Sequence, residues 1–256
     1  MFVNYRVKNR IAFIEINRPD KRNALNAELV AQLTLSFEAA EKDENVKVIV
    51  LKAVGEVFSA GADLDYLKKL QSNNFDENLR DSNQLKNLFQ LIYEQPKIVI
   101  AQVQGHAIAG GCGLASVCDF IFSVPEAKFG YTEVKIGFIP AIVAVFLLRK
   151  IGEGLTKELV FSGDLIDAER AKIIHLINFI VDADSIEKEV INYAEKLCNT
   201  TSSQSIALTK QLLNKIQDKP IEEALDFAAE MNAHARSTVD CKRGIQAFLD
   251  KNKIVW

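Results

Sequence analysis

Runs of apolar residues mark the first strands of the chain. Apolar positions alternate or run on over residues 3–7 and 11–16 around a polar Lys8-Asn9 step, which predicts an N-terminal hairpin. The β-branched run VKVIVLK at residues 46–52 and the run KIVIAQV at residues 97–103 are typical of buried strands. A further strand is predicted at residues 119–124. The hydrophobic pattern therefore predicts a sheet with a buried centre.

Helical spacing separates these strands. Apolar residues recur at three- and four-residue intervals over residues 27–43, behind Asn26 as a plausible N-cap. Repeated alternation of strand and helix favours a mostly parallel sheet with crossovers. The polar residues 71–81 predict a mobile loop. From residue 141 onward the pattern is almost entirely helical. The apolar run at 139–148 predicts a buried helix, against the core or another subunit, too short to cross a membrane.

A glycine-rich segment follows the second buried strand. Residues 105–120 read GHAIAGGCGLASVCDF, which predicts a tight turn and a short helix of small residues. Gly110 and Gly111 fall where that helix begins, so their N–H groups lack helical partners and could stabilise an oxyanion. The same glycines equally suit close packing at a turn. This segment alone does not distinguish an oxyanion site from a closely packed turn.

Two further features of the sequence favour a role for these N–H groups in stabilising an oxyanion. The loop FSAGADL follows the strand at 46–52, just as IAGGCGL follows the strand at 97–103. Because parallel strands end on the same side of a sheet, backbone donors at Ala60 and Gly110 could converge on one oxygen. The next strand leads towards Glu133, which could act as a general acid or base. A glutamate at a helix start, favoured by the helix dipole, is the alternative role for Glu133.

Composition narrows the classes of function. The chain has 256 residues, 48% of them hydrophobic, and a formal net charge of −3 with scattered lysines, so nucleic acid is not an expected partner. The start of the chain is too polar for a secretion signal, and a cytoplasmic protein with no membrane partner is expected. Four cysteines without a CxxC pair are expected to be reduced core residues. Three histidines without ligand spacing predict no metal site.

Five segments together resemble the crotonase, or enoyl-CoA hydratase/isomerase, superfamily. They are NRPDKRNALN at residues 17–26, FSAGADL at 58–64, the glycine-rich segment, FGYTEVKIGFIP at 129–140 and AFLDK at 247–251. They occur in the family's order and span essentially the whole chain. The combination of GGCGLA at residues 110–115 with TEVKIGFIPAIVAVFLLRKIG at residues 132–152 most closely resembles the bacterial branch of methylglutaconyl-CoA hydratases.

The resemblance implies an α/β crotonase (ClpP-like) fold of repeated β-β-α units. Its core domain would occupy residues 1–183, and residues 184–256 would form a helical trimerisation region. A homo-oligomer, either a trimer or a dimer of trimers, is therefore expected. The substrate would be an acyl-CoA thioester, and the only cofactor moiety would be the coenzyme A that the substrate carries.

The resemblance also assigns site residues. The N–H groups of Ala60 and Gly110 would hold the thioester oxygen as an enolate forms, and Glu133 would be the second of the two hydratase glutamates. The path of coenzyme A would be lined by backbone around Arg22, Ala24, Ala62, Asp63 and Leu64. Phe248 and Lys251, one turn apart on a closing helix predicted over residues 241–253, would reach the coenzyme A of a neighbouring subunit.

One position departs from the family's pattern. Two-glutamate hydratases carry their first glutamate directly after GGC, where this chain has Gly113. We interpret the glycine as leaving space, with the substrate's own distal carboxylate ordering the water. The expected activity is hydration or dehydration of a short, branched enoyl-CoA such as 3-methylglutaconyl-CoA. A Δ3,Δ2-enoyl-CoA isomerase is the second hypothesis, a decarboxylase stays possible, and a non-catalytic acyl-CoA-binding module is the alternative from another class.

Overall fold

Two sheets organise the first 180 residues of the chain. The computed structural model describes all residues, Met1–Trp256. Its strands are β1 Val3–Lys8, β2 Ile11–Ile16, β3 Val48–Ala53, β4 Val57–Ser59, β5 Ile98–Val103, β6 His106–Ile108, β7 Phe120–Ser123, β8 Lys128–Gly130, β9 Ile166–Asp167 and β10 Phe179–Ile180. The larger sheet has the order β1-β2-β3-β5-β7-β10, and the smaller has the order β4-β6-β8-β9.

The larger sheet is parallel except at one edge. The β1–β2 hairpin is antiparallel and turns through Asn9 and Arg10, whose φ angles are positive, while the β2–β3, β3–β5, β5–β7 and β7–β10 pairs are parallel. All six residues of β5 are buried, as expected for a strand covered on both faces. The predicted hairpin, buried strands and mostly parallel sheet are thus confirmed.

The ten helices carry most of the remaining chain. They are α1 Ala27–Lys42, α2 Leu64–Leu70, α3 Phe75–Glu94, α4 Gly110–Ser116, α5 Ala141–Ser162, α6 Ala168–Ile173, α7 Ile186–Thr200, α8 Ser203–Ile216, α9 Ile221–Ser237 and α10 Val239–Leu249. Asn26 caps α1 by accepting a hydrogen bond from the N–H of Leu29 at 2.9 Å, as predicted. The backbone of α5 departs from helical geometry at Gly152. None of these helices combines the length and apolar character that crossing a bilayer requires.

The polar segment expected to form a loop is mostly helical. Only residues 71–74 separate α2 from α3, and Asn74 and Glu77 form a capping box that begins α3. The Tyr66 hydroxyl donates to the carboxylate of Asp81, which ties α2 to α3. The loop prediction for residues 75–81 was therefore wrong, because polarity here reflects the exposed side of the first turns of α3.

Lysine side chains cap the carboxyl ends of three helices. Lys97 Nζ donates to the carbonyls of Ala40 at 2.6 Å and Asp43 at 2.5 Å, at the end of α1. Lys150 Nζ donates to the carbonyls of Ser116 at 2.8 Å and Cys118 at 3.0 Å, at the end of α4. Lys47 does the same for α7. An ammonium group satisfies carbonyls that have no helical partner and complements the negative end of the helix dipole.

The last three helices differ from α7 in burial. Helix α7 buries Ile186, Val190, Ala194 and Cys198 and contacts β2, β3, β5 and β7. Helices α8, α9 and α10 bury no residue within one chain. Apolar side chains on α9 and α10 face solvent, and Ile221, Val239 and Phe248 are 76%, 71% and 83% exposed. A large apolar surface of this kind marks an interaction site.

Candidate active site

The candidate site lies at one edge of the smaller sheet. Its strands β4, β6 and β8 are parallel neighbours, and they lead to Ala60, Gly110 and Glu133 respectively. Parallel neighbours end on the same side, so the three predicted catalytic positions share one edge. The sequence prediction placed longer strands directly before them. That detail was wrong, because the strands that lead to the site are three residues long.

Close packing brings the loops of Ala60 and Gly110 together. Gly61 has φ +88°, and a β-carbon there would lie 2.9 Å from Cβ of Ala109 and 3.5 Å from the nitrogen of Gly110. Ala109 has φ 50° and ψ −125°, which is strained for a residue with a side chain. Its N–H donates to the carbonyl of Gly130 at 2.7 Å, which fixes the start of α4 against β8.

The two predicted oxyanion donors differ in this structure. Gly110 is the first residue of α4, is half-buried, and its N–H has no backbone acceptor. The N–H of Ala60 donates to the carbonyl of Arg22 at 3.0 Å. A ligand oxygen would therefore meet one free donor and one that must be shared with, or released by, the Arg22 carbonyl.

Glu133 begins a short 3-10 turn and has an unusual environment. The side chain is half-buried, and its Oε2 atom is inaccessible and has no hydrogen-bond partner. Burial raises the pKa of this carboxyl group above its ordinary value, partly offset by a hydrogen bond from its own N–H. A carboxyl group with one inaccessible, unpartnered oxygen and a raised pKa is a candidate proton-transfer group.

Six predicted residues line one open cleft of about 470 Å³, namely Arg22, Ala24, Ala60, Ala62, Asp63 and Leu64. The loops pair directly, because the N–H of Leu25 donates to the carbonyl of Gly61 at 2.6 Å and that of Asp63 donates to the carbonyl of Leu25 at 2.9 Å. Four charged residues also line the cleft, and they were not predicted: Asp20, Lys21, Asp65 and Lys68. Lys21 lies in the motif NRPDKRN, where the adjacent basic residues Lys21 and Arg22 were the sequence feature that could have indicated a charged cleft wall.

The carboxylate of Asp63 has a structural role. It accepts hydrogen bonds from the N–H groups of Asp65 at 2.8 Å and Tyr66 at 3.2 Å, which caps α2, and it pairs with Arg18 at 2.5 Å. Burial opposes ionisation of this group, but the hydrogen bonds from Arg18 and the two N–H groups outweigh it and lower the pKa. Only the backbone of Asp63 is therefore available to line the cleft.

Phe248 and Lys251 lie away from this cleft, and the structure corrects how they are presented. Helix α10 ends at Leu249, and Lys251 has φ 56°, so the two residues do not share a helix face as predicted. Both are exposed, and neither lines the cleft of its own chain. Their proposed contact with a neighbouring subunit stays a prediction.

The cysteines are poor candidates for nucleophiles. Cys112, Cys118 and Cys198 are buried, as predicted, whereas Cys241 is partly exposed. Burial raises the pKa of the Cys112 thiol to about 12. A thiol with so high a pKa is protonated near neutral pH and is inert.

The space expected at Gly113 is absent. Gly113 is buried in α4, and a β-carbon there would overlap Cγ1 of Val143 and lie 3.0 Å from Cε2 of Phe89. Val143 and Phe89 are 4% and 0% exposed. The interpretation of Gly113 as open space was wrong, because side chains from α5 and α3 already fill the position.

Comparison with known proteins defines the class. The pattern of the enoyl-CoA hydratase/isomerase family matches residues 6–256, so the chain belongs to this family, and its architecture is the crotonase fold. A Thermus thermophilus protein, named as an enoyl-CoA hydratase by inference, is 39% identical over 95% of this chain and 96% of its own length. Crotonyl-CoA hydratase of Syntrophomonas wolfei is 32% identical over 96% and 94%. The crystal structure of an enoyl-CoA hydratase from Shewanella pealeana superposes with a TM-score of 0.93 at 29% identity, over 100% of this chain and 96% of its own.

Proposed function

We propose that this protein is an enoyl-CoA hydratase that adds water to, or removes it from, a short enoyl-CoA, with 3-methylglutaconyl-CoA as one candidate. The observation that carries the proposal is the unpartnered Oε2 atom of Glu133 at the same sheet edge as the free N–H of Gly110. The hydratase names of relatives that match nearly the whole chain support the same reaction class.

Hydration adds the water oxygen to the β-carbon of the enoyl group and a proton to its α-carbon. The electron pair of the double bond moves onto the thioester oxygen, and N–H donors stabilise the negative charge that develops there. Gly110 supplies one donor, and Ala60 supplies the second when the carbonyl of Arg22 gives way. The carboxylate of Glu133 accepts the proton that the attacking water loses and delivers it to the α-carbon, so the group returns to its starting state. Its raised pKa suits a group that must both gain and lose a proton.

The cleft of about 470 Å³ would hold the coenzyme A part of the substrate. Arg22 at its wall provides a guanidinium group suited to phosphate. Lys21 and Lys68 lie 2.9 and 3.8 Å from the carboxylate of Asp65, so a phosphate group would compete with Asp65 for these ammonium groups. Assembly of several copies through the exposed faces of α9 and α10 would bring Lys251 of a neighbouring subunit to the same molecule.

A Δ3,Δ2-enoyl-CoA isomerase is the second candidate, and one observation favours it. Val143 and Phe89 fill the space that the side chain of a first hydratase glutamate would take at position 113, which leaves Glu133 to move protons. Isomerisation removes a proton from the α-carbon and returns it at the γ-carbon, so one carboxyl group suffices.

Assays with three thioesters distinguish a hydratase, an isomerase and a binding module. Crotonyl-CoA and 3-methylglutaconyl-CoA lose the absorbance of the conjugated thioester on hydration, whereas a 3-enoyl-CoA gains it on isomerisation. We expect the largest kcat/KM for hydration of one of the two conjugated substrates. If only the 3-enoyl-CoA reacts, the protein is an isomerase. Thermal stabilisation by coenzyme A without turnover of any thioester would instead indicate a binding module.

A further inference from the structure

The contact between Gly113 of α4 and Val143 of α5 has consequences for the reaction. A β-carbon at position 113 would overlap Cγ1 of Val143 and lie only 3.1 Å from its Cβ. Carbon atoms pack best at about 3.5–4.0 Å, so even a methyl group does not fit. Phe89, which packs edge-on against Phe146 at 6.2 Å between ring centroids, has its Cε2 atom 3.0 Å from the same β-carbon.

This contact lies next to the candidate donor. Position 113 is three residues after Gly110 on the same helix, so a side chain at 113 would project from the same side of α4. That side is closed by Val143 and Phe89, which are both almost completely buried. A water molecule takes up about 30 Å³, so a position that has no room for a methyl group has no room for water either.

We propose that Val143 determines the reaction specificity of the site by excluding a second carboxyl group and an ordered water molecule from the face of α4 next to Gly110. Gly113 and Val143 act as a matched pair, since the side chain of one requires the absence of a side chain at the other. The substrate class that follows is a thioester whose reaction needs only one protein carboxyl group, that of Glu133. This inference rests on the proposed acyl-CoA chemistry.

Thermal stability tests the packing without any substrate. Gly113→Ala should lower Tm by about 2 to 12 °C, as expected for overpacking of a filled core in a chain of this size. Val143→Ala creates room, so the Gly113→Ala/Val143→Ala double variant should be more stable than the sum of the two single changes. Gly154→Ala in α5 is the matched control, because nothing lies within 4 Å of the added methyl group, and its Tm should not fall. Equal Tm values for Gly113→Ala and wild type would overturn the proposal.

Product analysis tests the specificity. Val143→Ala should raise the ratio of crotonyl-CoA hydration to 3-enoyl-CoA isomerisation at least several-fold, because it opens space for water. The Gly113→Glu/Val143→Ala variant should raise crotonyl-CoA hydration at least tenfold above Val143→Ala alone. Should that double variant fail to fold, the ratio measured for Val143→Ala decides.

The outcomes separate this inference from the proposed function. An unchanged ratio in Val143→Ala, in an enzyme that turns over thioesters and depends on Glu133, overturns the role of Val143 and leaves the proposed function standing. Absence of turnover by wild type on every thioester overturns the proposed function and with it the specificity role, whatever the Tm values show about packing.

Discussion

Replacing Glu133 with glutamine should lower activity without lowering stability. Glutamine keeps the shape of the side chain but cannot transfer a proton. Positioned acid–base catalysis contributes about 10²- to 10⁴-fold to a rate, which corresponds to roughly 2.7 to 5.4 kcal/mol of activation free energy. We therefore expect kcat to fall by this factor for the substrate that wild type prefers, while the affinity for coenzyme A stays within a factor of about two.

The stability effect follows from the pKa of Glu133. Because burial raises this pKa in the folded protein, the carboxyl group favours folding only below its unfolded pKa, and that contribution is lost as pH rises through the folded value. Glu133→Gln removes the cost of a buried carboxylate whose Oε2 has no partner. At pH 7.5 its Tm should equal that of wild type or exceed it by up to about 4 °C. The difference should vanish below about pH 4, under the unfolded pKa.

The pH profile supplies the third measurement. Abstraction of a proton from the α-carbon requires ionised Glu133, so the rate of dehydration or isomerisation should fall as pH drops through its raised pKa. This fall of the rate at low pH should be absent in Glu133→Gln. Glu126→Gln, which alters an exposed carboxylate seven residues away, is the control and should leave kcat and the profile unchanged. A fall in kcat below tenfold, or a Tm at pH 7.5 well below wild type, would show that Glu133 is structural.

Two further predictions concern lysines. Lys150→Met should cost about 2 to 4 kcal/mol of stability, because it leaves the carbonyls of Ser116 and Cys118 without their donor, and it should also lower kcat by displacing α4. Lys97→Met, which removes the cap of α1, is the control and should lose a similar amount of stability, measured by chemical denaturation, with little change in kcat. An equal loss of kcat in the Lys150→Met and Lys97→Met variants would refute a specific effect of Lys150. Lys251→Glu should raise KM for acyl-CoA about tenfold, equivalent to about 1.4 kcal/mol, with a smaller effect on kcat. Lys253→Glu is its control, and equal KM values for Lys251→Glu and wild type would contradict contact with coenzyme A.

The larger sheet was predictable because its strands are long enough to show a pattern. Strands β2, β3 and β5 have six residues each and are almost entirely buried, so apolar runs reveal them. Strands β4, β6 and β8 have three residues each. A run of three residues cannot display a period, so the sheet that carries the site is invisible to pattern analysis. The resemblance to the family located Ala60, Gly110 and Glu133 where the pattern alone left alternatives open.

Contacts between residues far apart in sequence are the second feature of the structure that sequence patterns did not predict. Lys150 is separated from the end of α4 by more than thirty positions, and nothing in its local surroundings indicates that it caps that helix. The ion pair of Arg18 with Asp63 is similar, since it joins the first loop of the cleft to the start of α2. Such contacts depend on how the loops pair across the fold, which a single sequence does not encode locally.

Gly113 illustrates why a missing side chain is hard to interpret. A glycine in place of a functional residue is compatible with a space that a ligand fills and with a space that another side chain fills. The two cases differ only in the volume of the facing residue, here Val143, which lies thirty positions later in a helix predicted simply to be apolar. Because protein interiors are close-packed, an unfilled position beside Phe89 would be the costlier arrangement. A buried glycine should therefore be interpreted together with the residue that faces it before any ligand is assigned to its place.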